Sequence, residues 1–143
     1  MTTVTQILKS KRDKTVYSIA PTASVLEAVR LMAEKNIGGL LVLEGGNVVG
    51  VVTERDLARK AFLMAKPPQD TPVREIMTSP VMYVSPERTS EECMALMTEN
   101  RFRHLPVLDK GRLVGLVSIG DLVKDVISEQ KFIIEQLEHY IAA

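Results

Sequence analysis

Cysteine occurs once in the 143 residues, at Cys93, tryptophan is missing, and tyrosine and phenylalanine number three each. A single cysteine closes no internal disulfide, which excludes a small stapled scaffold of the secreted kind. Basic residues match acidic ones at 18 each. With neither a positive surplus nor aromatic stacking platforms, nucleic acid is not the expected partner. No apolar run approaches the roughly 18 residues of a membrane span. The opening Met1-Thr2-Thr3-Val4-Thr5-Gln6 also lacks the basic and apolar regions of a signal peptide. A reducing cytoplasm without membrane attachment is therefore the expected setting. Two histidines far apart and one cysteine offer no metal-ligand spacing and no nucleophile–base pair, so no catalytic residue, metal or catalytic cofactor is expected. There is no G-x-G-x-x-G loop either, so a dinucleotide would not bind in the Rossmann manner. What remains is 45% apolar and 25% charged, the make-up of a globular chain with one core or two small half-domains.

The chain is organised around a stretch that occurs twice, Gly50-Val51-Val52-Thr53-Glu54-Arg55-Asp56 and Gly115-Leu116-Val117-Ser118-Ile119-Gly120-Asp121. Each reads as a buried strand that stops and a helix that starts, with the hydroxyl as N-cap and the aspartate at the third helical position of a capping box. Free N–H groups and the positive end of a helix dipole also suit an anion, so the stretch fits a plain cap or a phosphate and ribose site. The surrounding sequence repeats with it. Pro21 and Pro86, Met32 and Met97, Val42 and Val107, Gly50 and Gly115, and Asp56 and Asp121 are all separated by one constant offset. Upstream, Val4-Thr5-Gln6-Ile7-Leu8 matches Val73-Arg74-Glu75-Ile76-Met77, and the first copy carries extra residues in the basic stretch Lys9-Ser10-Lys11-Arg12-Asp13-Lys14. Two copies are too few for a solenoid, which favours a face-to-face pair.

Each copy predicts a leading helical turn (Val4 to Leu8; Val73 to Met77) and an extended segment (Thr15 to Ile19; Val81 to Val84) closed by Pro21 or Pro86. An amphipathic helix over Ser24 to Lys35, capped by Thr22 or Ser24, follows, and its counterpart places Cys93 as a small core residue. Next comes a hairpin of two continuously apolar strands around Glu44-Gly45-Gly46-Asn47 or Asp109-Lys110-Gly111-Arg112. A closing helix runs from Asp56 to about Ala65, and from Asp121 onward. Val123, Val126/Ile127, Gln130, Ile133/Ile134, Leu137 and Tyr140/Ile141 then continue as a long amphipathic helix without counterpart in the first copy. It either caps the chain's own core or joins a second chain, and a homodimer to which it contributes is expected. The expected fold class is α+β: two β-α-β-β-α repeats packed about a pseudo-twofold axis, plus a C-terminal amphipathic helix. The domains read as a first repeat over 1–66, a Pro-rich linker over 67–72, a second repeat over 73–126 and the helix over 127–143.

From Val4 to about Val126 these features resemble tandem cystathionine-β-synthase (CBS) domains. The resemblance rests on Ile19-Ala20-Pro21 and Val84-Ser85-Pro86, on Leu105-Pro106-Val107, and on Gly-aliphatic-aliphatic-Thr/Ser-x-x-Asp in both copies. It implies a stand-alone regulatory module whose two repeats form a disc-like pair with two related clefts. Such pairs commonly bind AMP, ADP, ATP, S-adenosylmethionine or a dinucleotide such as NAD. By the resemblance, Asp56 and Asp121 accept from ribose hydroxyls while Thr53 and Ser118 contact phosphate, in keeping with an acceptor-only carboxylate and a cap site. Before the hairpin, Arg103 and His104 stand where family members face the phosphates, His104 helping most when protonated. The first copy has Gly38 and Gly39 there, which allow close backbone approach to an adenine or a second nucleotide moiety. Ile19, Ala20, Ala23 and Ala28 are expected to line the Asp121 cleft, which should be the tighter. In the basic stretch a solvated connection is favoured, with Lys14 reaching a phosphate as the alternative. The expected function is a sensor that binds an adenine nucleotide and signals to a separate effector protein, its identity unknown. The alternative is a structural or dimerisation module with vestigial clefts.

Overall fold

The computed structural model describes residues 2–12 and 14–142, without the side chains of residues 140–142. Asp13 of the basic stretch and the side chains of Tyr140 and Ile141 in the helical stripe therefore lie outside the described residues. The fold is mixed α+β, with the elements α1 (Val4–Ser10), β1 (Ser18–Ile19), α2 (Val25–Lys35), β2 (Gly39–Glu44), β3 (Asn47–Thr53), α3 (Glu54–Asp56), α4 (Ser90–Asn100), β4 (His104–Asp109), β5 (Arg112–Ser118) and α5 (Ile119–Ala142). A π-helical stretch over Leu57–Phe62 continues α3, and a 3-10 turn spans Val73–Glu75.

The chain forms two compact units that cross the sequence repeats: Met1–Lys14 with Tyr83–Ala143, and Thr15–Met82. The leading turn of each copy thus belongs to the unit built by the other copy's hairpin. In the Thr15–Met82 unit, Val73 N–H donates to Ala23 O at 2.8 Å and Arg74 N–H to Pro21 O at 3.0 Å. In the other unit the equivalent bonds run from Val4 N–H to Arg88 O at 2.8 Å and from Thr5 N–H to Pro86 O at 3.0 Å. The repeated glycine explains the docking. A Cβ on Gly115 would lie 2.8 Å from Leu8 Cδ2, and one on Gly50 would run into Met77, so only a glycine strand lets the leading segment lie that close.

Both hairpins turn on two residues at positive φ, Gly45-Gly46 and Lys110-Gly111, the geometry that follows strand twist in a two-residue loop. Both carry the same bulge: register shifts between Val42 and Leu43 and again between Val107 and Leu108. In the first unit β1 pairs parallel with β2 to give the order β1-β2-β3. In the second, the expected strand over 81–84 shrinks to a single bridge, Val84 with Val107.

Each longer helix begins as the sequence indicates. Ser24 caps α2 and Thr89 caps α4, each in a reciprocal box with a glutamate at the third position. Val25, Ala28 and Met32 of α2 then pack with Leu40, Val42, Val52, Val73 and Ile76 into one buried cluster. Cys93 is fully buried, as expected of a core position, and burial pushes its thiol pKa up. The helix after Asp56 stops at Phe62, short of Ala65, because Lys66 N–H turns back to Ala61 O and Ala65 takes a positive φ. Its counterpart does not stop: α5 runs unbroken for 24 residues.

Candidate functional site

At each helix start the carboxylate first satisfies the chain itself. Thr53 N–H donates to Asp56 Oδ2 at 3.0 Å while Asp56 N–H donates to Thr53 Oγ1 at 3.2 Å. Ser118 N–H donates to Asp121 Oδ2 at 2.9 Å, and Asp121 N–H donates to Ser118 Oγ at 3.2 Å. These are the capping boxes expected from spacing, and they fix each carboxylate beside its hydroxyl.

Around that shared frame the two sites differ. Asp56 is buried at 7% exposure and uses both oxygens. Oδ2 also accepts from the Thr53 hydroxyl, while Oδ1 accepts from Thr78 Oγ1 at 3.1 Å and pairs with Lys60 Nζ at 3.2 Å. Asp121 uses one oxygen. Its Oδ2 pairs with Lys11 Nζ at 3.0 Å, and among the described residues Oδ1 accepts nothing. Lys11 also donates to Leu116 O at 2.8 Å, so its ammonium bridges the end of β5 and the carboxylate. Among the described residues of the basic stretch, Lys11 thus reaches a site residue.

The segment before each hairpin is tied to the helix start. Glu54 N–H donates to Gly38 O at 3.1 Å, and Ile119 N–H to Arg103 O at 2.9 Å. Gly39 then opens β2 opposite Thr53, and His104 opens β4 opposite Ser118. Sequence positions 14 and 16 residues apart are thereby brought together at each helix start. Arg103 is exposed and makes no ion pair among the described residues. His104 is half-buried, with Nδ1 enclosed and unpaired. Burial lowers its pKa below the ordinary 6.5 despite the pull of Asp121, and Arg103 and Lys11 push the same way. Burial thus favours the neutral imidazole, and Arg103 and Lys11 stand beside it as cationic side chains.

Ile19, Ala20, Ala23 and Ala28 all belong to the unit that carries Asp56. Ile19 is half-buried in β1, Ala20 is exposed, and Ala23 holds Val73 through its carbonyl. Ala28 has zero exposure inside the core, where it packs and is not open to a ligand. Gly38 has room for a side chain, since a Cβ there would meet Glu54 Oε1 only at 3.5 Å. Lys60, Thr78 and Lys11 escaped the sequence reading. Only Lys60 left a local signal, the i,i+4 spacing from Asp56 that pairs charges on a helix. Among the described residues no three His, Cys, Asp or Glu gather as metal ligands, and no helix is long and apolar enough to cross a membrane.

A duplicated hairpin closed on a helix start, with a capping carboxylate beside a hydroxyl in each copy, defines a tandem-repeat module of mixed α+β fold. The chain belongs to the CBS-domain family, matching the CBS domain over residues 7–62 and again over 73–128. It is similar to the mitochondrial CBS domain-containing protein CBSX3 of Arabidopsis thaliana, at 35% identity over 98% of this chain and 72% of that one. It also resembles CBS domain-containing protein YhcV of Bacillus subtilis, at 32% identity over 86% of this chain and 87% of that one. Among solved structures, a CBS-domain protein from Burkholderia ambifaria superposes with a TM-score of 0.87 at 56% identity, covering 90% of this chain and 96% of the other. CBS pairs are generally regulatory, nucleotide-binding modules.

Proposed function

We propose that this chain is a cytoplasmic, non-catalytic sensor that binds an adenine nucleotide (AMP, ADP, ATP or NAD) at the α5 start and signals its occupancy to a separate effector protein. The observation that carries the reading is the asymmetry of the carboxylates. Asp121 keeps Oδ1 available to a vicinal diol, beside Ser118, Lys11 and the exposed Arg103. An acceptor-only oxygen next to two cations matches a ribose joined to a phosphate. Asp56 has a full set of intrachain partners, which favours the alternative, a structural role without ligand, for that half. Isothermal titration of the full chain with AMP, ATP and NAD tests the proposal: binding should saturate at one site per chain and weaken in Asp121→Ala. Absence of binding up to millimolar nucleotide would return the module to a purely structural function.

A further inference from the structure

Beyond residue 126 the helix α5 runs past the buried core of its unit. Every residue from 127 to 139 is exposed, about 20 Å of helix, along which Glu129 accepts from the Thr2 hydroxyl at 2.8 Å. A helix of that length is marginal in water unless something covers it. Its exposed apolar side chains are ordered. With the half-buried Val126 and the polar Gln130 between them, Ile119, Val123, Ile133 and Leu137 alternate steps of four and three, the a and d positions of a heptad repeat, and Ile127 and Ile134 widen the stripe on one side. Leu122, fully buried in the chain's own unit, flanks one side of the stripe between Ile119 and Val126. The stripe therefore borders the face that docks α5 and continues past Val126 over exposed residues. Phe132, also exposed, lies off the stripe.

We infer that this stripe is a parallel coiled-coil seam that joins two copies of the chain through α5. The area agrees with a second copy. Ile119, Val123, Ile127, Ile133, Ile134 and Leu137 are each at least 36% exposed. Their exposed parts average about 90 Å², so covering them removes roughly 1,100 Å² over two copies, above the roughly 1,000 Å² that a specific interface should clear. The lone polar residue of the seam sets the direction. In a parallel pair Gln130 meets the partner's Gln130, and the two amides bond to each other; in an antiparallel pair it faces the partner's Ile133 and each buried amide stays unpaired. The acidic side chains agree as well. Asp121, Asp125, Glu135 and Glu138 fall on outer positions, and Glu129, beside the seam, is opposite the partner's Ile134, so no two carboxylates are forced together.

The test uses the full chain. Sedimentation at micromolar concentration should show a dimer for the natural sequence and for Phe132→Ser, and a monomer for the Ile133→Glu, Leu137→Glu double variant. Because both substituted positions are exposed within one chain, the thermal transition of a dilute sample should hold, which separates loss of the seam from loss of folding. Mild oxidation of Ile133→Cys should yield a disulfide-linked dimer, since position 133 meets its own mate only in the parallel arrangement. A natural chain that stays monomeric would assign the stripe to a different protein and overturn the inference. So would a double variant that remains dimeric, or an Ile133→Cys chain that does not cross-link.

Discussion

The two repeated aspartates stand in the same sequence context yet carry different loads. Asp56 is buried and holds Thr53, Thr78 and Lys60, so Asp56→Ala should cost about 1 to 3 kcal/mol of stability. Asp121→Ala should cost less stability and more nucleotide affinity, as denaturant titration and calorimetry on the pair of variants would show; equal affinity losses would contradict the asymmetry. His104 gives the chain a pH response. Because its folded-state pKa lies below 6.5, the unfolded chain binds the proton more tightly. Stability contributed here is therefore intact at neutral pH, falls as the pH drops through 6.5, and levels off below the lowered folded value. Replacing His104 by Gln should flatten that part of the stability–pH curve, and an unchanged slope would assign the response to other groups. The capping partners of both aspartates were legible because spacing alone places a hydroxyl three residues before a carboxylate at a helix start. Lys11 and Thr78 were not, since each reaches its carboxylate from a distant part of the chain, 110 and 22 positions away, where no local periodicity records the meeting.

At the scale of elements, the hairpins and capped helices were readable for a common reason: turn glycines, cap residues and alternating periods are all local. The closing helices differed from expectation where a local rule gave way. After Phe62 the backbone reverses through Ala65 at positive φ. The strand over 81–84 is reduced to one bridge, tied to β4 by Val84 N–H to Pro106 O and Leu108 N–H to Val84 O. The repeated glycine acquires a definite steric meaning here. Gly115→Ala should destabilise the chain by about 1 to 3 kcal/mol, and Leu8→Ala in the same chain should recover part of that loss, because the introduced methyl and the leucine compete for one space. A double-mutant cycle by chemical denaturation measures the coupling, and strict additivity would show that the glycine serves some other purpose.

For the whole molecule, the constant offset revealed a duplication but not which copy each leading turn joins. Val4 and Val73 have equivalent sequences and dock in equivalent ways, so the pattern is compatible with either partner, and only the bonds to Arg88 O and Ala23 O decide. Removing residues 1–14 should therefore weaken the distant half of the chain. Hydrogen exchange should lose protection in β4, β5 and α4 while β2 and β3 keep theirs; loss concentrated in β2 and β3 would place the leading helix in the wrong unit.

The same exchange of leading segments sets an order of events during synthesis. Helix α1 is made well before the segment it docks on: the Thr5 hydroxyl bonds to Pro86 O, 81 positions further on. At roughly 10 residues per second on the ribosome, that is a wait of about eight seconds. Over most of it the nascent chain presents Val4, Ile7 and Leu8 uncovered, whereas the unit ending at Met82 has all of its residues before its counterpart does. A ribosome stalled just past that unit would hold all of the residues of one body while α1 still waits for the Pro86 to Arg88 carbonyls that receive it.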